Sequence, residues 1–171
     1  LPSLGNSQDY DLIIRGGKVV DGSGNPWYHA DIAIKDDRIA EIGQLSKLEA
    51  KRVIDASGLV VAPGFIDPHT HALRGIFEVP NAESALLQGV TTLTEGNDGS
   101  SPYPIDRHYA DIDNLRISPN WAVFVGQGTI RQRVIGFGLR KATPVEMERM
   151  KQMVRDAMEQ GALGISTGLF Y

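Results

Sequence analysis

Two histidines one residue apart, His69 and His71, with Asp67 two positions earlier, are the side chains in this chain best suited to chemistry. On an extended segment side chains alternate between faces, so Asp67, His69 and His71 share one face and the two imidazoles converge on a point. A borderline-soft cation such as Zn²⁺ takes neutral imidazole nitrogens at about 2.0–2.1 Å, and Asp67 is spaced to orient one ring from behind. Two histidines can also share a strand face and hold nothing, and the spacing alone leaves those two readings level.

Asp98, in Gly96-Asn97-Asp98-Gly99, is the next candidate. A carboxylate at a strand end ligates a cation at about 2.0–2.2 Å or bridges two, although Asn-Asp-Gly is also a turn sequence in which Asp needs no further role. Arg131 and Tyr171 are candidates for a substrate carboxylate; Arg133 shares that possibility, but arginines on loops are commonly just solvated. His29 and His108 lie in loop-like contexts and are assigned to the surface. Gly126-x-Gly128 and Gly136-x-Gly138 lack the full phosphate-binding fingerprint and its strand-to-helix setting, so nucleotide binding is set aside.

Composition narrows the classes further. The 171 residues are 42% apolar, enough to bury a core, and the formal charge of −4 with both signs dispersed offers no basic field for nucleic acid. There is no cysteine, which excludes disulfides, thiolate ligands and thiol nucleophiles, so any metal must use histidine and carboxylate. No run approaches the roughly 20 apolar residues of a membrane span. The chain begins Leu-Pro-Ser-Leu-Gly-Asn-Ser-Gln. That fits a periplasmic or secreted protein after leader cleavage, the favoured reading, or an expression remnant in a cytoplasmic one.

These residues need elements to hold them. After a flexible start over residues 1–9, residues up to 62 read as short strands between turns: Asp11–Ile14, Lys18–Val20, a hairpin of Ala30–Ile34 and Arg38–Gly43 around Lys35-Asp36-Asp37, then Arg52–Asp55 and Leu59–Val61. Strands this short, each with one apolar face, predict part of a small β-sandwich. Residues 63–171 change period. Val60 and Val61 with Phe65 and Ile66 read as one buried strand ending at the Asp-Pro-His-Thr-His cluster, and Ala82–Leu87 as a short helix. Val90–Gly96 is a second strand, a loop leads to a third at Trp121–Val125, and Leu163–Ser166 opens a fourth. Between the last two, Thr143-Pro144-Val145-Glu146 starts a helix with a capping box and Gly161 stops it; Met147, Met150, Val154, Ala157 and Met158 are its expected core side.

Alternation of this kind predicts α/β architecture with parallel strands, and parallel barrels carry their chemistry at the C-terminal strand ends, where His69 and His71 fall. A full (β/α)₈ barrel takes about 250 residues, so about four units make the N-terminal half of a TIM-like barrel. Raw strand edges aggregate, which predicts that a second polypeptide carries the remaining strands.

A hydrophobic strand preceded by Ala62-Pro63-Gly64 and ending in Asp67-Pro68-His69-Thr70-His71 resembles the first barrel strand of the amidohydrolase superfamily. Gly89-Val90-Thr91-Thr92, Gly96-Asn97-Asp98-Gly99, Val125–Arg131, Arg140-Lys141-Ala142-Thr143 and Gly161–Tyr171 are together similar to its N-acyl-D-amino-acid deacylase (D-aminoacylase) branch. The resemblance runs from about Asp11 to the end. It implies a metal-dependent hydrolase of C–N amide bonds using one or two divalent ions, with Zn²⁺ on His69, His71 and Asp98, and an N-acyl-D-amino acid or D-residue-containing peptide as substrate. Asp98 stands where that branch commonly has a ligating cysteine, and Gln127 where it often has a histidine, whose role is therefore not carried over. The general base and further histidine ligands implied by the family lie beyond Tyr171, so no catalytic residue is assigned within this chain, and the polypeptide by itself is expected to be inactive. Two alternatives stand beside this. A cyclic-amide hydrolase of the same superfamily commonly needs a carboxylated lysine at the fourth strand, and Leu163–Thr167 has none. The other is a non-catalytic scaffold subunit.

Overall fold

The computed structural model describes residues 10–168, so the start expected over residues 1–9 and the candidate substrate contact Tyr171 lie outside the described residues. The chain divides into two compact units, one ending at Pro63 and the other beginning at Gly64.

In the first unit β1 (Tyr10–Val19), β2 (Tyr28–Lys35), β3 (Arg38–Gly43), β4 (Ala50–Asp55) and β5 (Val60–Val61) form one sheet, ordered β3-β2-β1-β4 with β5 also on β1. β2 is antiparallel to β1 and β3, while β4 and β5 run parallel to β1. The β2–β3 hairpin turns on Asp36 and Asp37, at φ 49° and 61°, the paired left-handed geometry of a two-residue turn that Asp tolerates. A bulge bends β1 between Ile14 and Gly17. The buried Asp31 carboxylate holds that bend, accepting from Gly16 N–H at 2.7 Å and from Leu45 N–H at 3.0 Å. Ile13, Ala33 and Leu45 pack on one face, and Val19, Ala30 and Ile32 on the other.

In the second unit β6 (Phe65–Asp67), β7 (Val90–Glu95) and β8 (Asn120–Val123) are parallel neighbours, and β9 (Val125–Gly126) continues past Phe124 to pair in parallel with β10 (Ile165–Ser166). Helices connect them: α1 (Leu73–Ile76) and α2 (Glu83–Leu86) after β6, α3 (Ile105–Leu115) after β7, and α4 (Gln127–Ile135) and α5 (Pro144–Glu159) after β9. The core lies between strands and helices, with Ile105, Val123, Val125, Ile130, Ala157 and Ala162 buried together.

Several expectations change. Val60–Val61 and Phe65–Ile66 are not one buried strand: the first pair joins β1 and the second β7, and Phe65 and Ile66 are 62% and 64% exposed. The stretch expected as a loop between the second and third strands contains α3, whose start carries no local capping side chain. Its Ile105 N–H is instead taken at 3.0 Å by the Gln160 side-chain oxygen, from the far end of α5. α4 likewise has little local signal in the sequence, because it buries only Ile130 and starts at Gly126 without a side-chain cap.

His108 is buried on α3, not at the surface, and its Nε2 accepts from Trp121 Nε1 at 3.0 Å. Burial holds its pKa below the ordinary 6.5, against a smaller opposing pull from Asp111. On α5, Met150, Met153, Val154 and Ala157 face the core, whereas Met147 and Met158 are exposed. Both halves of the Thr143–Glu146 capping box form, and the Arg140 guanidinium grips Glu146 at 2.6 and 2.7 Å. Those bonds hold the Glu146 carboxyl down to about 2.

Thr143→Ala should cost about 1 kcal/mol, read as a melting temperature lower by about 2–4 °C. The Glu146 contribution is present in full above its ordinary 4.5 and is lost as pH falls toward about 2. The thermal deficit of Glu146→Gln at neutral pH should therefore shrink across that acid window, and a deficit that stays constant would contradict the pairing. For His108 the contribution is in full above pH 6.5 and declines as pH falls below it. His108→Gln should flatten that decline in melts taken between pH 7.5 and 5.

Candidate metal centre

β6 ends at Asp67, so His69 and His71 stand in a bend beyond the strand rather than on it. Asp67 Oδ1 accepts from the His69 backbone N–H at 3.1 Å. Its recorded contact is thus to the turn that carries the histidine, not to either ring as the spacing suggested. Thr70, between the histidines, is buried and faces the end of β7. Its N–H donates to Thr94 O at 3.1 Å, and its hydroxyl lies 2.7 Å from Thr94 O and 2.6 Å from Glu95 Oε1, sharing one proton between them. Asn97 Nδ2 donates to Thr70 O at 3.1 Å. The buried Glu95 carboxylate also takes the Ala72 N–H. Thr70, Glu95 and Asn97 were not singled out from sequence; the one available signal was an acidic residue closing the β-branched run Val90–Glu95.

Asp98 reaches the same place from the loop after β7. It adopts a left-handed φ of 56°, tolerated by Asp because its short polar side chain lowers the penalty that other residues meet there. The turn around it is packed backbone to backbone. Gly96, at φ 79°, has no room for a Cβ, which would sit 2.0 Å from Phe124 O, and a Cβ on Gly126 would sit 2.4 Å from Gly99 O. Gly99 N–H donates to Ser166 Oγ at 3.1 Å, and Ser166 Oγ in turn donates to Gly96 O.

Asp98 Oδ2 lies 3.4 Å from His69 Nε2 and 3.4 Å from His71 Nε2. One ligand atom from each of the three residues falls within 4.8 Å of the others. The rings stand edge to face with centroids 5.3 Å apart. Donors bound at about 2.0–2.2 Å with tetrahedral angles would be about 3.3–3.5 Å apart, so the two His–Asp separations fit a four-coordinate cation. The donors are two nitrogens and a carboxylate, suited to zinc and to harder divalent ions. All three side chains are at least 39% exposed, leaving the cluster open to small molecules.

His71 and Asp98 border a cavity of about 740 Å³ that Gln127, Arg131, Phe137 and Leu139 also line. His71 also faces a second cleft, together with His69 and Asp67. Arg131 is therefore near the cluster, but its Nη2 donates to Gly138 O at 2.7 Å and to Arg140 O at 2.9 Å. That end of the guanidinium holds the loop bearing Phe137 and Leu139. Arg133 turns away to Tyr103 O at 2.8 Å. No helix among the described residues is long and apolar enough to cross a membrane.

The chain is 41% identical to a D-aminoacylase of Alcaligenes xylosoxydans xylosoxydans, over 99% of this chain and 40% of that protein. Among solved structures it is similar to an N-acyl-D-glutamate deacylase of Bordetella bronchiseptica complexed with zinc and a phosphonate inhibitor, at TM-score 0.90 and 35% identity, covering 96% of this chain and 39% of that one. It is also similar, at TM-score 0.82 and 37% identity over 95% of this chain and 39% of that chain, to a D-aminoacylase structure described by its binuclear metal centre. The resemblance to the deacylase branch is borne out, and so is the expected architecture, the first portion of a (β/α)₈ metal-hydrolase barrel with a small β unit. The chain spans about two fifths of the length of these relatives. The model of the amidohydrolase family matches residues 52–171, and with that match running through all of β6–β10 the chain belongs to the amidohydrolase family.

Proposed function

We propose that these residues form the metal-holding part of a hydrolase that cleaves the acyl-amide bond of an N-acyl-D-amino acid or a D-residue-containing peptide. The observation that carries this is the convergence of His69, His71 and Asp98 from two separate strand ends onto one point. His69 and His71 would hold a divalent cation, Zn²⁺ for preference, through their Nε2 atoms, with Asp98 as the anionic third donor. A cation so held lowers the pKa of bound water toward about 7 and polarises the scissile carbonyl. Asp67 keeps the His69 peptide in its turn. The open side of the cluster, next to Phe137 and Leu139, leaves the apolar part of a substrate somewhere to lie. Among the described residues none is placed to protonate the leaving nitrogen, and we assign that step, with the remaining ligands, to polypeptide outside the 171 residues.

Ile66 and Ile165, half or more exposed on β6 and β10, which each have a strand neighbour on one side only among the described residues, support completion by further strands, which we place on a second chain. Intact-mass measurement on the natively purified protein separates the cases: a companion polypeptide is expected, whereas a folded, monodisperse 18.6 kDa species would refute completion.

In the assembled protein, His69→Ala and His71→Ala should each abolish hydrolysis of N-acyl-D-amino acids without unfolding. Each should also weaken Zn²⁺ by more than the roughly 10–100-fold that outer-shell changes cost; unaltered zinc titrations would sink the assignment. Stoichiometric metal missing from protein purified without chelators would favour a scaffold subunit. Asp98→Cys should shift preference toward softer ions, seen as a gain in Cd²⁺ over Mn²⁺ affinity, because thiolate replaces carboxylate at an anionic position.

A further inference from the structure

The strand ladder does not fix the histidines, since β6 stops at Asp67. Thr70 is tied on one side of His71 to Thr94 O and Asn97, and a side chain from the neighbouring strand spans both sides. Glu95, only 3% exposed, uses Oε1 to accept the Ala72 N–H and to share the Thr70 hydroxyl, the residues on either side of His71. A carboxylate buried at the end of a β-branched strand is costly unless its oxygens find donors. It is also acceptor-only, so it can take a hydroxyl and an amide together without offering a competing proton. Glu95 lines the same cavity as His71 and Asp98, but it is not one of the three clustered donors.

From this geometry we infer that Glu95 is a positioning residue for the metal centre. It clamps residues 70–72 so that His71 Nε2 is held within 3.4 Å of Asp98 Oδ2 before any cation arrives. The inference rests on reading His69, His71 and Asp98 as ligands. Its physical content is pre-organisation: ordering the His71 segment in the folded chain removes that cost from cation binding. Because Thr70 and Ala72 both donate, what the position requires is an oxygen acceptor at this depth, and a neutral amide can supply one.

The test is Zn²⁺ titration calorimetry on the complete native protein, comparing the parent with Glu95→Ala, Glu95→Gln and Thr70→Val, alongside hydrogen exchange at the Ala72 amide without metal. Glu95→Ala should weaken Zn²⁺ by about 10–100-fold, speed Ala72 exchange and alter the visible bands of the Co²⁺-substituted protein. Glu95→Gln, whose carbonyl can accept both donors, should recover most of the affinity and the parental Co²⁺ spectrum. Thr70→Val should give a smaller loss. Glu95→Ala binding as tightly as the parent with the same spectrum would overturn the inference, and so would Glu95→Gln binding no better than Glu95→Ala, since charge rather than the clamp would then be acting. Should Glu95→Ala fail to fold, a folded Thr70→Val with parental affinity and spectrum would overturn it equally. A parent that binds no Zn²⁺ would remove the metal reading itself, a result distinct from a parent that binds and variants that bind alike.

Discussion

Where a parallel strand ends its ladder ends too, and every backbone N–H and C=O beyond it needs another partner. That constraint governs the second unit. Residues 69–72 lie beyond the end of β6: the His69 N–H turns back to Asp67, and the rest reaches β7 and the loop after it, Thr70 N–H to Thr94 O, Thr70 O to Asn97, Ala72 N–H to Glu95. The segment carrying the two histidines is thereby seated on the strand whose following loop carries Asp98. A cluster of three donors follows from satisfying the backbone of one short stretch.

The same economy shapes the far side of the cluster. Gly96, Gly99 and Gly126 bring three backbone segments closer than any Cβ would allow, and Ser166 ties the 96–99 turn to β10 from both ends. The turn has little freedom, and the left-handed Asp98 is fixed by it. What that turn presents to the histidines is a hard, anionic oxygen donor.

Both units combine a packed core with exposed apolar residues on their strands. In the second unit Val123 and Val125 are fully buried against α3, α4 and α5, while Ile66 and Ile165 on the strands remain open. In the first, Ile39, Val53 and Val60 are likewise exposed. At about 25 cal/mol per Å² of apolar surface, faces of this kind contain much of the stabilisation that a completed barrel and sheet would draw on.

Much was legible in the sequence where the physics is local. The α5 start is written in Thr143, Pro144 and Glu146, three neighbours that satisfy one another, and the β2–β3 hairpin in Asp36-Asp37. His69 and His71 are two residues apart, so their meeting needed only a rigid support. What the tertiary structure decided are contacts between distant residues. α3 is capped by Gln160 from 55 positions away, His108 is buried by Trp121, and Arg131 is engaged by Gly138 and Arg140. Asp98 joins the histidines only because β6 and β7 lie side by side in parallel. Local spacing specifies turns, caps and adjacent ligands because their partners lie within a few residues; burial and convergence depend on which strands become neighbours, and that is settled by packing of the whole unit.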